Sequence, residues 1–386
     1  MYAPDVISFA RKIGVYSGAD EDFSFSDVYD PVTFSGARWC EARVWSFFGS
    51  VMGEDWAAQY LDYAQGYNLT NRMPLWVMPP KDKKIGLADT FQFMRSHYEG
   101  TPLDMTGQEF SDVGASYGGL PIRFRPLTWG SAADSHDGKH SNKPTDQKQY
   151  FNERAISTQQ TGWNFVAQTR AWMPRELSAL LWFGVDDSAT TAHFPIYGGA
   201  TEVPAAYAGA STADGLTPPV MKFDMQRANT VFNLVANWAY SRWNTIYPEV
   251  YDRILRTESK FIEMAHDMDE TATAKYNSEG AAAAVAYATQ RCVDTGNELV
   301  KHWAEFFGEL FVKFRDGYTI EKDPENTACG CKVVDTPYPQ TWYDRIVTDT
   351  GKHYEIPTEP SSTEAKLSAR APGLRPIDKA ALLNKY

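Results

Sequence analysis

Basic residues are the first shortage: 37 Lys and Arg stand against 49 Asp and Glu in 386 residues, a net charge of −12. A surface of that sign repels phosphate backbones and anionic headgroups, so neither nucleic acid nor an anionic membrane is expected as a partner. The one basic run, Lys81-Asp82-Lys83-Lys84, is short and reads as a solvated turn. No apolar stretch is long enough to span a bilayer, so no membrane partner is expected. The N-terminus shows no charged region followed by an apolar one, and no signal peptide is visible. Cysteine is scarce, with Cys40, Cys292, Cys329 and Cys331 alone. A chain of this size needs no disulfide framework, and Cys329-Gly330-Cys331 lacks the spacing of a zinc ribbon or a CxxC redox pair. All four read as structural or incidental. A Walker loop, a dinucleotide fingerprint, a G-x-S-x-G elbow and H-E-x-x-H are missing too, so no cofactor and no metal is expected.

Aromatics, by contrast, are abundant: 12 Trp, 21 Tyr and 21 Phe make up 14% of the chain. They suit either a core of broad layers or a surface that stacks on peptides or sugars; most fall inside apolar runs, which favours packing. The length favours one large domain with an appendage. Within it, residues 150–199 hold two aromatic-rich runs separated by Met173-Pro174-Arg175-Glu176. Their near-continuous apolar character predicts two adjacent central strands of a sheet covered on both faces.

Elsewhere the pattern is plainer. Asp5 caps a short helix through residue 12, which Gly14 stops. Residues 34–48 fit both a period of two and a period of 3.6. Residues 87–98 read as a helix with Leu87, Phe91, Met94 and Tyr98 on one face, and with His97 as a surface or cap residue. Residues 123–129 read as an edge strand, because Pro126 excludes a central position. Residues 131–149, with His136 and His140, lack apolar anchors and read as a surface insertion rather than a metal site. Asn68-Leu69-Thr70 matches a glycosylation acceptor, a pattern frequent by chance. Residues 226–317 are almost wholly helical by pattern, with a break at Pro248. Beyond Gly317 the chain is turn-rich, and from about residue 357 it reads as a poorly ordered tail.

Several blocks then align with one family. Tyr2-Ala-Pro-Asp-Val-Ile-Ser-Phe-Ala10, Asp22-Phe-Ser-Phe-Ser-Asp27, Asn71-Arg-Met-Pro-Leu-Trp76 and His97-Tyr-Glu-Gly-Thr-Pro102 resemble bacterial dipeptidases of the dipeptidase A type. So do Arg125-Pro-Leu-Thr-Trp129, Asn152-Glu-Arg-Ala-Ile156, Ser157-Thr-Gln-Gln-Thr-Gly162 and Trp182-Phe-Gly-Val-Asp-Asp187. These enzymes are N-terminal-nucleophile cysteine peptidases related to the secernins. The resemblance implies an α+β fold, part of a four-layer α-β-β-α sandwich over residues 1–219, followed by a helical region at 220–317 and a turn-rich tail at 318–386. It implies dipeptides as substrates and a cysteine whose own α-amino group is the general base, since that amine titrates near ~7.7–8.

The nucleophile segment of the family pattern is missing here, and Cys40 is internal. Three arrangements follow: a C-terminal portion of a dipeptidase, inactive alone; one chain of a two-chain hydrolase that pairs with the missing segment; or a non-catalytic relative that binds peptides or carbohydrates. The first is expected, because a sheet without its leading strands would expose an apolar face and an unpaired edge. Homo-oligomerisation is a further partner expectation. Ser35-Gly36-Ala37-Arg38 matches the approach to the nucleophile pocket in related hydrolases, which makes Arg38 the expected contact for a substrate carboxylate. An ion pair with Glu41 or a loop Asp is the plainer role for it. Asn152, Glu153, Arg154, Asp186 and Asp187 are expected to support rather than react.

Overall fold

The computed structural model describes residues 2–106, 128–130, 149–208, 223–334 and 340–356. Of the expected edge strand at 123–129 all but residues 128–129, of the insertion at 131–149 all but residue 149, and the whole tail from 357 lie outside the described residues. Met1–Thr336 form one compact unit and Pro337–Tyr386 a second, whose helix Gln340–Thr350 is described by itself below as α11.

The larger unit opens with small helices. α1 (Val6–Lys12) ends at Gly14, whose φ of +80° suits a residue without a Cβ. α2 (Phe25–Tyr29) follows, then α3 (Phe34–Gly36), a π-helical turn at Ala37–Glu41 and α4 (Ala42–Met52). The helical period therefore wins over residues 34–48, with Ala42, Trp45 and Ser46 turned inward at spacings of three and four. Gly53 stops α4, and α5 (Glu54–Gln59) and α6 (Leu61–Ala64) close a small core in which Trp45, Tyr63, Met73, Tyr98 and Leu103 pack together. α7 (Leu87–Met94) is shorter than the pattern suggested. Beyond it Tyr98 takes a φ of +67° and the segment turns inward, so His97 is buried, not a surface residue.

β1 (Thr128–Gly130) and β2 (Gln149–Phe151) form an antiparallel pair. The main sheet has the order β3-β4-β5 and is antiparallel throughout: β3 (Trp163–Thr169), β4 (Ala179–Val185) and β5 (Phe194–Tyr197). The two aromatic-rich runs do pair as adjacent strands, with Phe165 opposite Phe183 and Val166 opposite Trp182. Among the described residues they are not covered on both faces. Leu180, Trp182 and Gly184 alternate inward, while Trp163 and Phe165 remain 61% and 43% exposed, and β3 has a single strand neighbour among the described residues. The apolar composition of both faces hid this alternation.

Three helices complete the core: α8 (Ala228–Ser241), α9 (Trp243–Glu279) and α10 (Ala281–Lys313). The break falls at Arg242, whose extended φ of −150° interrupts the helix, and not at Pro248. Pro248 lies in the second turn of α9, where its missing amide costs one bond near a helix start. α9 and α10 are about 55 and 50 Å long at 1.5 Å per residue. They fold back on each other at Gly280, with φ +92°. Buried residues recur along α9 at Val250, Ile254, Phe261, Ala265, Met268 and Ala272, one stripe on one face. Small residues on α10, including Ala284, Ala288, Cys292 and Gly296, let it approach closely; a Cβ on Gly296 would sit 2.4 Å from Pro204 and 2.8 Å from Phe194 of β5. A hairpin, β6 (Thr319–Lys322) and β7 (Cys331–Val334), ends the unit. Cys329 and Cys331 are joined by a disulfide. α11 is an amphipathic helix followed by a short turn through Tyr354.

Candidate functional site

The connection from β4 to β5 is the most unusual stretch of the chain. Every residue from 186 to 193 is buried, in a sequence, Asp-Asp-Ser-Ala-Thr-Thr-Ala-His, that is mostly polar. Buried loops carry backbone groups that water cannot reach, so each needs a partner from the protein. Asp186 has a φ of +74°, a left-handed conformation that a non-glycine residue adopts at a cost of about 1–3 kcal/mol. Gly184 makes room for the fold-back, since a Cβ there would lie 2.4 Å from the Thr191 methyl.

Two polar networks hold the loop. The first centres on Asp187. Its carboxylate accepts from the Tyr240 hydroxyl of α8 at 2.5 Å, from Ser157 Oγ and from the Ala189 amide at 3.0 Å. The Ala189 amide is also 2.9 Å from Ser157 Oγ, and Ser188 Oγ donates to the Met94 carbonyl at the end of α7 at 2.5 Å. Tyr240 donates to Asp187, so its oxygen accepts from His97 Nε2 at 2.9 Å. His97 Nδ1 faces Glu99, 3.4 Å away. The result is a chain of hydrogen bonds from imidazole through phenol to a buried carboxylate, and the contact of His97 Nδ1 with Glu99 is not a hydrogen bond.

The second network centres on Glu258 of α9. Arg95 pairs with its Oε1, which also accepts from the His193 amide at 3.0 Å and lies 2.7 Å from His193 Nδ1. His193 Nε2 is 2.5 Å from Asn164 Oδ1 on β3. Asn164 orients by donating its amide to the Asp186 carbonyl at 2.9 Å, and Asn233 of α8 donates to Asp186 Oδ2 at 2.8 Å. The His193 ring stacks on Phe91 of α7 at 4.6 Å. Burial lowers the His193 pKa below its ordinary value; Glu258 opposes that shift and the Arg95 charge adds to it. Burial would raise Glu258, yet the bond from His193 and the charge of Arg95 hold it below the usual carboxylate range. Four elements far apart in sequence are thus tied to one loop.

Arg38, the residue singled out from sequence, lies elsewhere, in the π-helical turn. Its guanidinium pairs with Glu153 at 2.7 Å, donates to the carbonyls of Gln65 and Phe151 at 3.0 and 3.3 Å, and reaches Tyr67 Oη at 3.1 Å. Phe34 lies 4.7 Å under it. Four of its five N–H groups are engaged, leaving one on Nη2. Asn152 and Arg154 belong to the same corner: the Asn152 carbonyl accepts from Trp39 Nε1 at 3.1 Å, and Arg154 stacks over the Trp39 ring. Asp186 and Asp187, expected to support rather than react, both take part in the bonding of the β4–β5 loop. His193, Glu258, Arg95, His97 and Tyr240 were not foreseen; the signal available was an eight-residue polar run between two apolar strands, far longer than a hairpin turn needs.

The cysteines separate by environment. Cys292 is buried, accepts from the Tyr197 amide at 3.4 Å, and burial pushes its thiol up to about 11, which makes it a poor nucleophile. Cys40 is exposed on the π-helical turn. Among the described residues no group of three or more His, Cys, Asp or Glu is arranged to hold a metal ion, and no helix is long and apolar enough to cross a membrane. No curated protein matches the chain. A family model, described as peptidase family C69, matches residues 1–254.

Proposed function

The chain belongs to peptidase family C69, and on that premise we propose that it forms the scaffold of a cysteine-type dipeptidase. The observation that carries this reading is the asymmetry of the β3-β4-β5 sheet. One face packs on helices through Trp182, Phe91 and Tyr197, while the other presents Trp163, Phe165 and Leu181 outward. This asymmetry supports reading the sheet and its helices as one half of a four-layer α-β-β-α sandwich, whose second sheet would cover the aromatic face. In this reading residues 1–219 contribute to the hydrolase layers and 220–317 supply their helical cover. The two polar networks fix the β4–β5 loop at the end of the sheet.

In this proposal none of the four cysteines of residues 1–386 is the nucleophile. Cys292 is buried, Cys329 and Cys331 are bonded together, and Cys40 is internal and has no α-amino group to serve as its base. Purified residues 1–386 should therefore leave a panel of dipeptides intact. Turnover by the purified chain would overturn the assignment, and its loss in Cys40→Ser would make Cys40 the nucleophile. Arg38 remains the proposed contact for a substrate carboxylate, through its remaining Nη2 N–H. In the active enzyme Arg38→Lys should raise KM for dipeptides about tenfold with the fold preserved; an unchanged KM reduces Arg38 to the partner of Glu153. The stacked Trp163 and Phe165 rings, 5.7 Å apart, give the alternative of a peptide- or sugar-binding face its one support.

A further inference from the structure

The Cys329–Cys331 bond asks for an explanation of its own. A three-residue ring removes little entropy from the unfolded chain, so it adds little to the stability of the fold. It lies at the surface: Cys329 is exposed, and Cys331 is half-buried as the first residue of β7, opposite Lys322. Exposed disulfides are the labile ones, whereas scaffolding disulfides resist reduction. The surroundings are also asymmetric. The Asn326 side-chain amide points at Cys329 Sγ from 3.5 Å and is anchored by donating to the Cys331 carbonyl at 2.7 Å. Cys331 Sγ has no comparable donor among the described hydrogen bonds. A polar N–H aimed at one sulfur favours the thiolate at that sulfur when the bond is open.

We propose that Cys329-Gly330-Cys331 is a thiol–disulfide exchange site for low-molecular-weight thiols such as glutathione, independent of the peptidase reaction. Cys329 is the attacking and attacked sulfur, and Cys331 is the resolving one. In the reducing direction a thiolate attacks Cys329 Sγ, the Cys329–Cys331 bond breaks, and Cys331 leaves as a thiolate that takes up a proton. A second thiolate then attacks the small-molecule sulfur of the mixed disulfide, releasing the Cys329 thiolate and a small disulfide. Two thiols are oxidised to one disulfide and the protein pair is reduced. In the reverse sequence the Cys329 thiolate attacks a small disulfide and releases one thiol, Cys331 then displaces the second, and the two protein thiols are oxidised to the Cys329–Cys331 bond as one small disulfide is reduced to two thiols.

The test uses the full chain in a Cys40→Ser background, which leaves no other exposed thiol. Equilibration in glutathione redox buffers, acid quench, alkylation and peptide mass mapping should show the pair passing from oxidised to doubly alkylated within the physiological range of glutathione poise. Cys331→Ser should trap glutathione on Cys329, and Cys329→Ser should trap little on Cys331. Asn326→Asp, which removes the donor and adds a negative charge beside the sulfur, should slow formation of the mixed disulfide about tenfold. Circular dichroism checks that each variant retains its helices. A pair that stays oxidised throughout the glutathione range, or equal trapping on either cysteine, would overturn the proposal.

Discussion

His193 is surrounded by groups that bind it in one protonation balance, and this gives the chain a defined response to acid. Because burial depresses its pKa in the folded state, the unfolded chain binds a proton first as pH falls through the ordinary value of 6.5. The stabilisation is complete above that value and is lost below it as pH approaches the lower folded pKa. Denaturant midpoints measured between pH 8 and 5 should therefore fall toward pH 5, and His193→Asn should flatten that slope. Glu258 acts in a lower window, since its own stabilisation disappears only as pH drops below 4.5. Glu258→Gln leaves Arg95 charged and buried without its partner, a change expected to cost about 3–5 kcal/mol in chemical denaturation at pH 7. A loss under 1 kcal/mol would mean that water replaces the carboxylate. None of this was legible in the sequence: Arg95, His193 and Glu258 lie 98 and 163 residues apart along the chain, and no local period brings them together. His97 was misplaced for a related reason, since the turn after Met94 depends on the left-handed Tyr98, which no apolar pattern signals.

Elements were read more reliably than their faces. The pairing of β3 with β4 followed from two apolar runs around a proline-containing turn, and the helical content of 226–317 followed from its 3.6 period. Whether a strand is central cannot be judged when both of its faces carry aromatics, as Trp163, Phe165 and Phe183 show. The break before α9 was assigned to Pro248 because proline is the visible breaker, while the actual interruption at Arg242 depends on tertiary bonding, its guanidinium donating to the Gly317 carbonyl at 2.7 Å. Glycine positions mark where elements approach each other. At Gly184 on β4, alanine would press on Thr191 and His193 and push the polar loop off the strand. Gly184→Ala should destabilise the protein by about 1–3 kcal/mol, the cost of overpacking, and should lower protection of the 186–193 amides in hydrogen exchange. Unchanged protection would show that the loop is held without contact to β4.

At the scale of the whole molecule the central fact is the imbalance between the two sides of one sheet. A single hydrophobic core joins its inner face to α8, α9 and α10, and Trp182, Trp243 and Trp303 are buried in it. The outer face carries the stacked rings of Trp163, Phe165 and Phe183. If that face is open in residues 1–386, replacing Trp163 with Ser and Phe165 with Thr removes only a half-exposed stack of rings and should cost no more than about 1.5 kcal/mol. The same pair of changes should reduce concentration-dependent self-association, because an exposed apolar patch is what invites it. A loss of about 3 kcal/mol or more, the scale of emptying an aromatic core site, would mean that another part of the chain covers the face. Sedimentation velocity alongside denaturant titration distinguishes the two. In the open case the face is the surface on which the proposed second sheet assembles, and the double variant should then fail to form the active peptidase while remaining folded by itself.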